Sequence, residues 1–160
     1  MIQHPITPIF DKDSRILILG SFPSVKSREE GFFYGHPQNR FWKVLAVVFE
    51  EETPTTIEDK KRFLLKNHVA VWDVIHSCDI EGSSDSSIKN VVPNDLSEIL
   101  EKADIRQIYV NGKKAEQLYK KYIFPRFKRE AICLPSTSPA NAAWRLERLV
   151  DEWKRLLENR

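Results

Sequence analysis

The chain is predicted to form an α/β domain of three layers, α/β/α, around a central four-stranded parallel sheet. Three observations predict it. Four short apolar runs, at residues 15–19, 69–75, 105–110 and 131–134, have the Ile, Leu and Val content of strands buried on both faces. Between them, apolar residues return at helical spacing. Each run empties into a polar, turn-rich loop, so right-handed crossovers between parallel strands bring all four loops to one edge of the sheet. Ligands of such folds bind at that rim.

Residues 1–14 contain Pro5 and Pro8 and no periodicity, which predicts a leading arm with Phe10 tucked against the core. The first strand, 15–19, leads into a long loop. Phe41, Trp42, Leu45, Val48 and Phe49 then mark a helix that starts near Asn39 and ends at Glu50-Glu51-Glu52 and Pro54. Thr55 or Thr56 caps the next helix, which stops at Asn67. Residues 69–75 form the second strand and 77–87 a polar loop. Asn94 or Asp95 caps a short helix through Ala103, and the third strand ends at Asn111-Gly112. A basic helix with Ala115, Leu118, Tyr119 and Tyr122 on one face terminates at Pro125. After the fourth strand, residues 144–157 carry a broad apolar stripe typical of a helix packed on a sheet.

A chain of 160 residues is enough for one domain, residues 1–160, with a core that needs no staples. Two cysteines make no disulfide framework, and no Cys/His spacing suits a metal, so no metal or other cofactor is expected. With no signal-like start and no spanning apolar run, the sequence reads as a soluble, cytoplasmic monomer without membrane contact. A net charge of +2 is too weak to name a nucleic-acid partner. The basic residues between Asn111 and Glu130 read first as a solvated helix face.

The loops exclude several chemistries. Gly20-Ser21-Phe22-Pro23 lacks the spaced glycines of a dinucleotide loop and the Lys-Ser/Thr pair of a nucleotide hydrolase, and no serine sits on a Gly-x-Ser-x-Gly elbow. What remains is a pocket with polar Asn39, His36, Asp73, His76 and Asp85, aromatic walls, and Ser136, Thr137 and Ser138 ahead of the last helix. Hydroxyls and backbone N–H groups at that position suit a phosphate, and an aromatic pocket beside a phosphate grip suits one nucleotide lifted from its stack.

Two segments carry a family resemblance. Gly20-Ser21-Phe22-Pro23-Ser24 through Gly35-His36-Pro37-Gln38-Asn39-Arg40-Phe41-Trp42, and Leu134-Pro135-Ser136-Thr137-Ser138-Pro139-Ala140-Asn141, resemble the two signature motifs of the uracil-DNA glycosylase superfamily. The His-Pro-x-Asn-Arg-Phe-Trp stretch is similar to that of mismatch-specific uracil/thymine glycosylases. Together with Val71-Trp72-Asp73-Val74 and Gly82-Ser83-Ser84-Asp85-Ser86, the chain most resembles the hypoxanthine-DNA (deoxyinosine) glycosylase branch. That resemblance implies a DNA repair enzyme, acting on DNA that contains a deaminated base, which hydrolyses the N-glycosidic bond after base flipping. Three departures bear on the subfamily. Phe22 stands where uracil enzymes carry a water-activating Asp or Asn, Leu134 where they carry a catalytic His, and Ser138 where they carry the wedge leucine.

The resemblance points to Asn39 as the replacement catalytic residue, holding either the attacking water or the departing base; a helix N-cap is the other role open to it. Gly20, Ser21, Phe22, Pro23, His36, Asp73 and His76 are the expected substrate-binding residues, with Phe22 either stacking on the base or filling the core under the loop, and Asp73 either accepting from the base N–H or bridging loop groups. Ser24, Ser136, Thr137 and Ser138 are expected on the DNA phosphates. No lysine stands out as an amine nucleophile, so a monofunctional enzyme is expected. The rival readings are a uracil- or mismatch-directed glycosylase, and a non-catalytic nucleic-acid-binding module on the same fold.

Overall fold

A computed structural model describes all residues, 1–160. In chain order the elements are β1 (Ile2–Gln3), β2 (Ile16–Gly20), α1 (Val25–Glu30), α2 (Phe41–Val48), α3 (Ile57–Lys66), β3 (Val69–Asp73) and β4 (Ile75–Asp79). They continue with β5 (Lys89–Pro93), α4 (Ser97–Lys102), β6 (Gln107–Asn111), α5 (Lys113–Leu118), α6 (Phe124–Phe127), β7 (Ala131–Leu134) and α7 (Leu146–Trp153). The central sheet has the order β3-β2-β6-β7 and every pair in it is parallel. Alternation along the strands divides the core into two. Ile16, Ile18, Val69, Val71 and Tyr109 face α2, α3 and α7, whereas Leu17, Leu19, Ala70, Ile108 and Val110 face α4, α5 and β4. The three-layer α/β/α architecture follows, with the carboxyl ends of all four central strands on one rim.

The structure corrects the expected path at several points. Residues 69–75 do not form one strand. The chain leaves the central sheet at Val74 and enters a second, antiparallel sheet, β1-β4-β5, built partly from the stretch expected as a polar loop. Asn94 enforces the break: its buried amide donates to the carbonyls of Asp73 and Ile75, and its backbone N–H donates to that of Val74. Asn94 therefore staples the strand junction, while Asp95 accepts from the N–H of Ser97 at the start of α4. The N-terminal arm is likewise structured, with β1 on β4 and Ile9 bridged to Val71.

Within the first loop Ser24 starts the short helix α1, which Gly31 closes at φ +74°. Pro125 does not end the basic helix. A wide π turn at Tyr119–Ile123 intervenes, and Pro125 falls in the first turn of α6, where its missing N–H costs nothing. The last helix begins at Leu146, and Trp144 before it lies under the Arg148 guanidinium, 3.7 Å from the ring centroid. Thr56 caps α3 as expected, accepting from the N–H of Asp59.

A polar clamp joins the end of α2 to the chain's last residue. Glu51 accepts from Lys66 Nζ at 3.0 Å and from Asn67 Nδ2 at 2.8 Å, and Arg160 donates to Asn67 Oδ1 at 3.1 Å. The Asn67 hydrogen bond, helped by Lys66, holds the Glu51 carboxyl below its ordinary range. A depressed folded-state pKa adds stability above the unfolded value, and that stability is lost as pH falls through the folded one. Glu51→Gln is thus expected to cost about 0.5–1 kcal/mol at neutral pH, a difference that closes below about pH 4. Thermal melts of both proteins from pH 7 to pH 3 check this; a gap constant with pH would remove the charge from the account.

Candidate active site at the strand-exit rim

The loops that follow β2, β3, β6 and β7 enclose a cavity of about 340 Å³. Gly20, Ser21, Phe22, Pro23, Ser24, His36, Asn39, Asp73, Ser136, Thr137 and Ser138 all line it. His76 does not. It lies on β4, where alternation turns its side chain to solvent, and its carbonyl accepts from the N–H of His4. Arg40 ties the two motifs together: its guanidinium donates to the carbonyls of Asn141 and Trp144, and its N–H donates to the carbonyl of Thr137.

A directed chain of hydrogen bonds orients Asn39. Asn111 Nδ2 donates to Thr137 Oγ1 at 3.1 Å, and the N–H of Thr137 returns a bond to Asn111 Oδ1. With its lone pair so used, the Thr137 hydroxyl donates to Asn39 Oδ1 at 2.8 Å. The same oxygen accepts from the N–H of Phe41 at 3.0 Å, so Asn39 does serve the start of α2. Both lone pairs of that oxygen are occupied, and the free end of Asn39 is the Nδ2 donor. Thr137, whose hydroxyl proton is spent on Asn39, is therefore a positioning residue and has no hydroxyl donor left for a phosphate.

The remaining serines divide. Ser24 Oγ caps α1, accepting from the N–H of Ser27 and donating to Ser27 Oγ, so its hydroxyl is engaged within the protein. Ser136 Oγ and Ser138 Oγ accept from the N–H groups of Ser138 and Ala140, and each keeps its own proton to donate outward. His36 Nδ1 accepts from the N–H of Gln38, which places the proton of the neutral ring on Nε2.

Asp73 is held from behind. The N–H of Ile6 donates to His4 Nδ1, leaving His4 Nε2 to donate to Asp73 Oδ2 at 2.7 Å, with side chains only 2% and 4% exposed. The His4 ring also meets Phe22 edge-on, 5.8 Å between centroids. Asp73 Oδ1 comes so close to Gly20 that a Cβ there would lie 2.4 Å from it. Only glycine fits. Near the mouth, Ser21 Oγ donates to Asp85, whose carboxyl is pushed up by lost solvation, an effect that the Ser21 bond and Lys114 partly offset.

Sequence reasoning gave His4 and Asn111 no role at the site and read Asn94 only as a candidate helix cap. Asn111 did carry a signal, as a polar residue at the carboxyl end of a central strand. His4 carried none, because it lies 69 residues from its partner in an arm without periodicity. No group of three His, Cys, Asp or Glu side chains is placed to hold a metal, and no helix is long and apolar enough to cross a membrane.

The comparisons with known proteins show the family. The family model described as the uracil DNA glycosylase superfamily matches residues 7–158. A protein of Methanosarcina acetivorans named hypoxanthine DNA glycosylase is 34% identical over 156 residues, covering 96% of this chain and 97% of its own length. One of the same name from Methanosarcina barkeri is 33% identical over 117 residues, 72% of this chain and 74% of its own. A solution NMR structure from Methanosarcina acetivorans, described as a candidate uracil DNA glycosylase, superposes with a TM-score of 0.80 at 32% identity, covering 98% of this chain and 99% of that one. With almost the whole chain matched and both motifs lining one cavity, the protein belongs to the uracil DNA glycosylase superfamily.

Proposed function

We propose that this chain is a monofunctional DNA glycosylase that releases a deaminated base, hypoxanthine before others, from a nucleotide flipped into the cavity at the strand-exit rim. The observation that carries the reading is the polarity of the Asn111, Thr137, Asn39 chain. It aims a fixed N–H donor from Asn39 into a base-sized cavity whose floor carries the Asp73 carboxylate.

Hydrolysis breaks the bond between C1′ and the base nitrogen and joins water oxygen to C1′. The bonding pair leaves with the base, which gains a proton from the solvent while the attacking water gives one up to it, and the sugar passes through an oxocarbenium-like state. Such a cleavage needs stabilisation of the departing base more than a strong base to activate water. Asn39 Nδ2 is a donor and can meet negative charge developing on the base, whereas its oxygen is already saturated. Of the two roles open on sequence, holding the leaving base is the one that this polarity supports. Phe22 forms an aromatic wall, and Ser136 and Ser138 offer donors to the backbone phosphate. No lysine lines the cavity, which supports hydrolysis without strand cleavage.

The reading is tested with oligonucleotide duplexes that each bear one altered base, scored for free base. Release from deoxyinosine is expected, ahead of deoxyuridine; release from none of the duplexes would overturn the reading and leave a binding module. Because the grip is on phosphate, duplex affinity is also expected to fall about tenfold or more between roughly 50 and 200 mM salt. A flat salt response in a binding titration would count against DNA as the partner.

A further inference from the structure

Tyr34 lines the cavity, and the proposed mechanism gives its hydroxyl no role. Its backbone is held at φ +52°, a conformation uncommon for an aromatic residue, and its ring stacks on Phe41 with centroids 3.8 Å apart. These restraints place the hydroxyl over Gly20, 2.9 Å from where a Cβ would lie, a position that Asp73 Oδ1 approaches to 2.4 Å. Yet the hydroxyl is buried and has no hydrogen-bond partner. A buried unsatisfied hydroxyl is costly, and such groups in native proteins call for an explanation.

We infer that the Tyr34 hydroxyl is a specificity-determining donor that, together with the Asp73 carboxylate, reads a carbonyl adjacent to a ring N–H on the flipped base. This rests on the glycosylase reading above and names the atoms that would tell hypoxanthine from the adenine it derives from. Burial above all, and then the nearby Asp73 charge, raise the phenol above its ordinary range, against a lowering from the Asn111 side chain, so it presents a hydrogen. His4 occupies Asp73 Oδ2 and leaves Oδ1 as the acceptor. The floor of the cavity therefore offers one donor beside one acceptor. Hypoxanthine presents O6 beside N1–H and satisfies both. Adenine presents an amine beside a bare ring nitrogen, whose lone pair would face the carboxylate. Deamination swaps the one pattern for the other, and a site built around hydrogen bonds rejects a ligand that leaves them unmade.

The test is Tyr34→Phe in the full chain, which removes one oxygen and keeps the ring on Phe41. Three readouts are taken: single-turnover release of hypoxanthine from a deoxyinosine duplex, affinity for a duplex carrying a tetrahydrofuran abasic analogue, and thermal stability. Release is expected to fall roughly tenfold to a hundredfold. Affinity for the abasic duplex, which offers no base to read, should be unchanged, and stability unchanged or raised, since the lost hydroxyl had no partner. Wild-type release by the variant would overturn the inference. So would a parallel fall in all three readouts, which would mark the hydroxyl as structural. If the wild-type chain itself releases no base, the glycosylase reading fails first, and the two failures are thereby distinguished.

Discussion

Asn39→Ala is expected to slow base release by about a hundredfold or more, the usual loss when one fixed electrostatic donor is removed from a reacting centre. Alanine alone would leave an ambiguity. Asn39 Oδ1 also accepts from the N–H of Phe41 and the hydroxyl of Thr137, so its removal weakens the start of α2 by about 1 kcal/mol. Asn39→Asp separates the two roles. Its carboxylate can accept both bonds, and aspartate at a helix start is as good as asparagine, so the fold should be as stable as wild type. What the variant lacks is the outward N–H. Release as slow as in the alanine variant, with an unchanged melting temperature, is the expected result. A fully active Asn39→Asp would remove the donor role and return Asn39 to a structural one.

Gly20→Ala is the second large effect expected, because the added methyl has nowhere to go. Asp73 Oδ1 lies 2.4 Å and the Tyr34 hydroxyl 2.9 Å from the position of the new Cβ. Neither can yield easily: Asp73 is tied to His4 in a buried pair, and Tyr34 is stacked on Phe41. Forcing a methyl into a packed interior costs about 1–3 kcal/mol, and here the displaced atoms are the two proposed to read the base. Base release should fall by about a hundredfold or more, while the serine loop at 136–138, on the other motif, keeps its grip on an abasic duplex. Parallel measurement of base release, abasic-duplex affinity and melting temperature checks it. Wild-type activity in this variant would show that the floor of the cavity does not contact the base.

Much of the architecture was legible from periodicity. Residues 16–20, 107–111 and 131–134 are short apolar runs flanked by helical repeats, and burial on both sheet faces is the physical state that such runs describe. The second sheet was not legible. Val69 to Ile75 is continuously apolar apart from Asp73, and the side chain that breaks it belongs to Asn94, about twenty residues on. Ser24 and Thr137 show the same limit at the site. Both reach the cavity, but whether a hydroxyl faces a phosphate or an internal partner depends on which backbone groups the fold leaves unsatisfied around it.

By itself, the order of residues determined the parallel sheet, the rim to which its loops run, and the two motifs that line the cavity, because each depends on spacing within a short window. Only the tertiary structure decided which groups at that rim remain free. Thr137 meets Asn39 across 98 residues and His4 meets Asp73 across 69, and those contacts take up an acceptor position on Asn39 Oδ1 and on Asp73 Oδ2. A hydrogen bond has a direction and each atom a limited number of partners, so what a side chain can still offer a base is settled by contacts that no local pattern records.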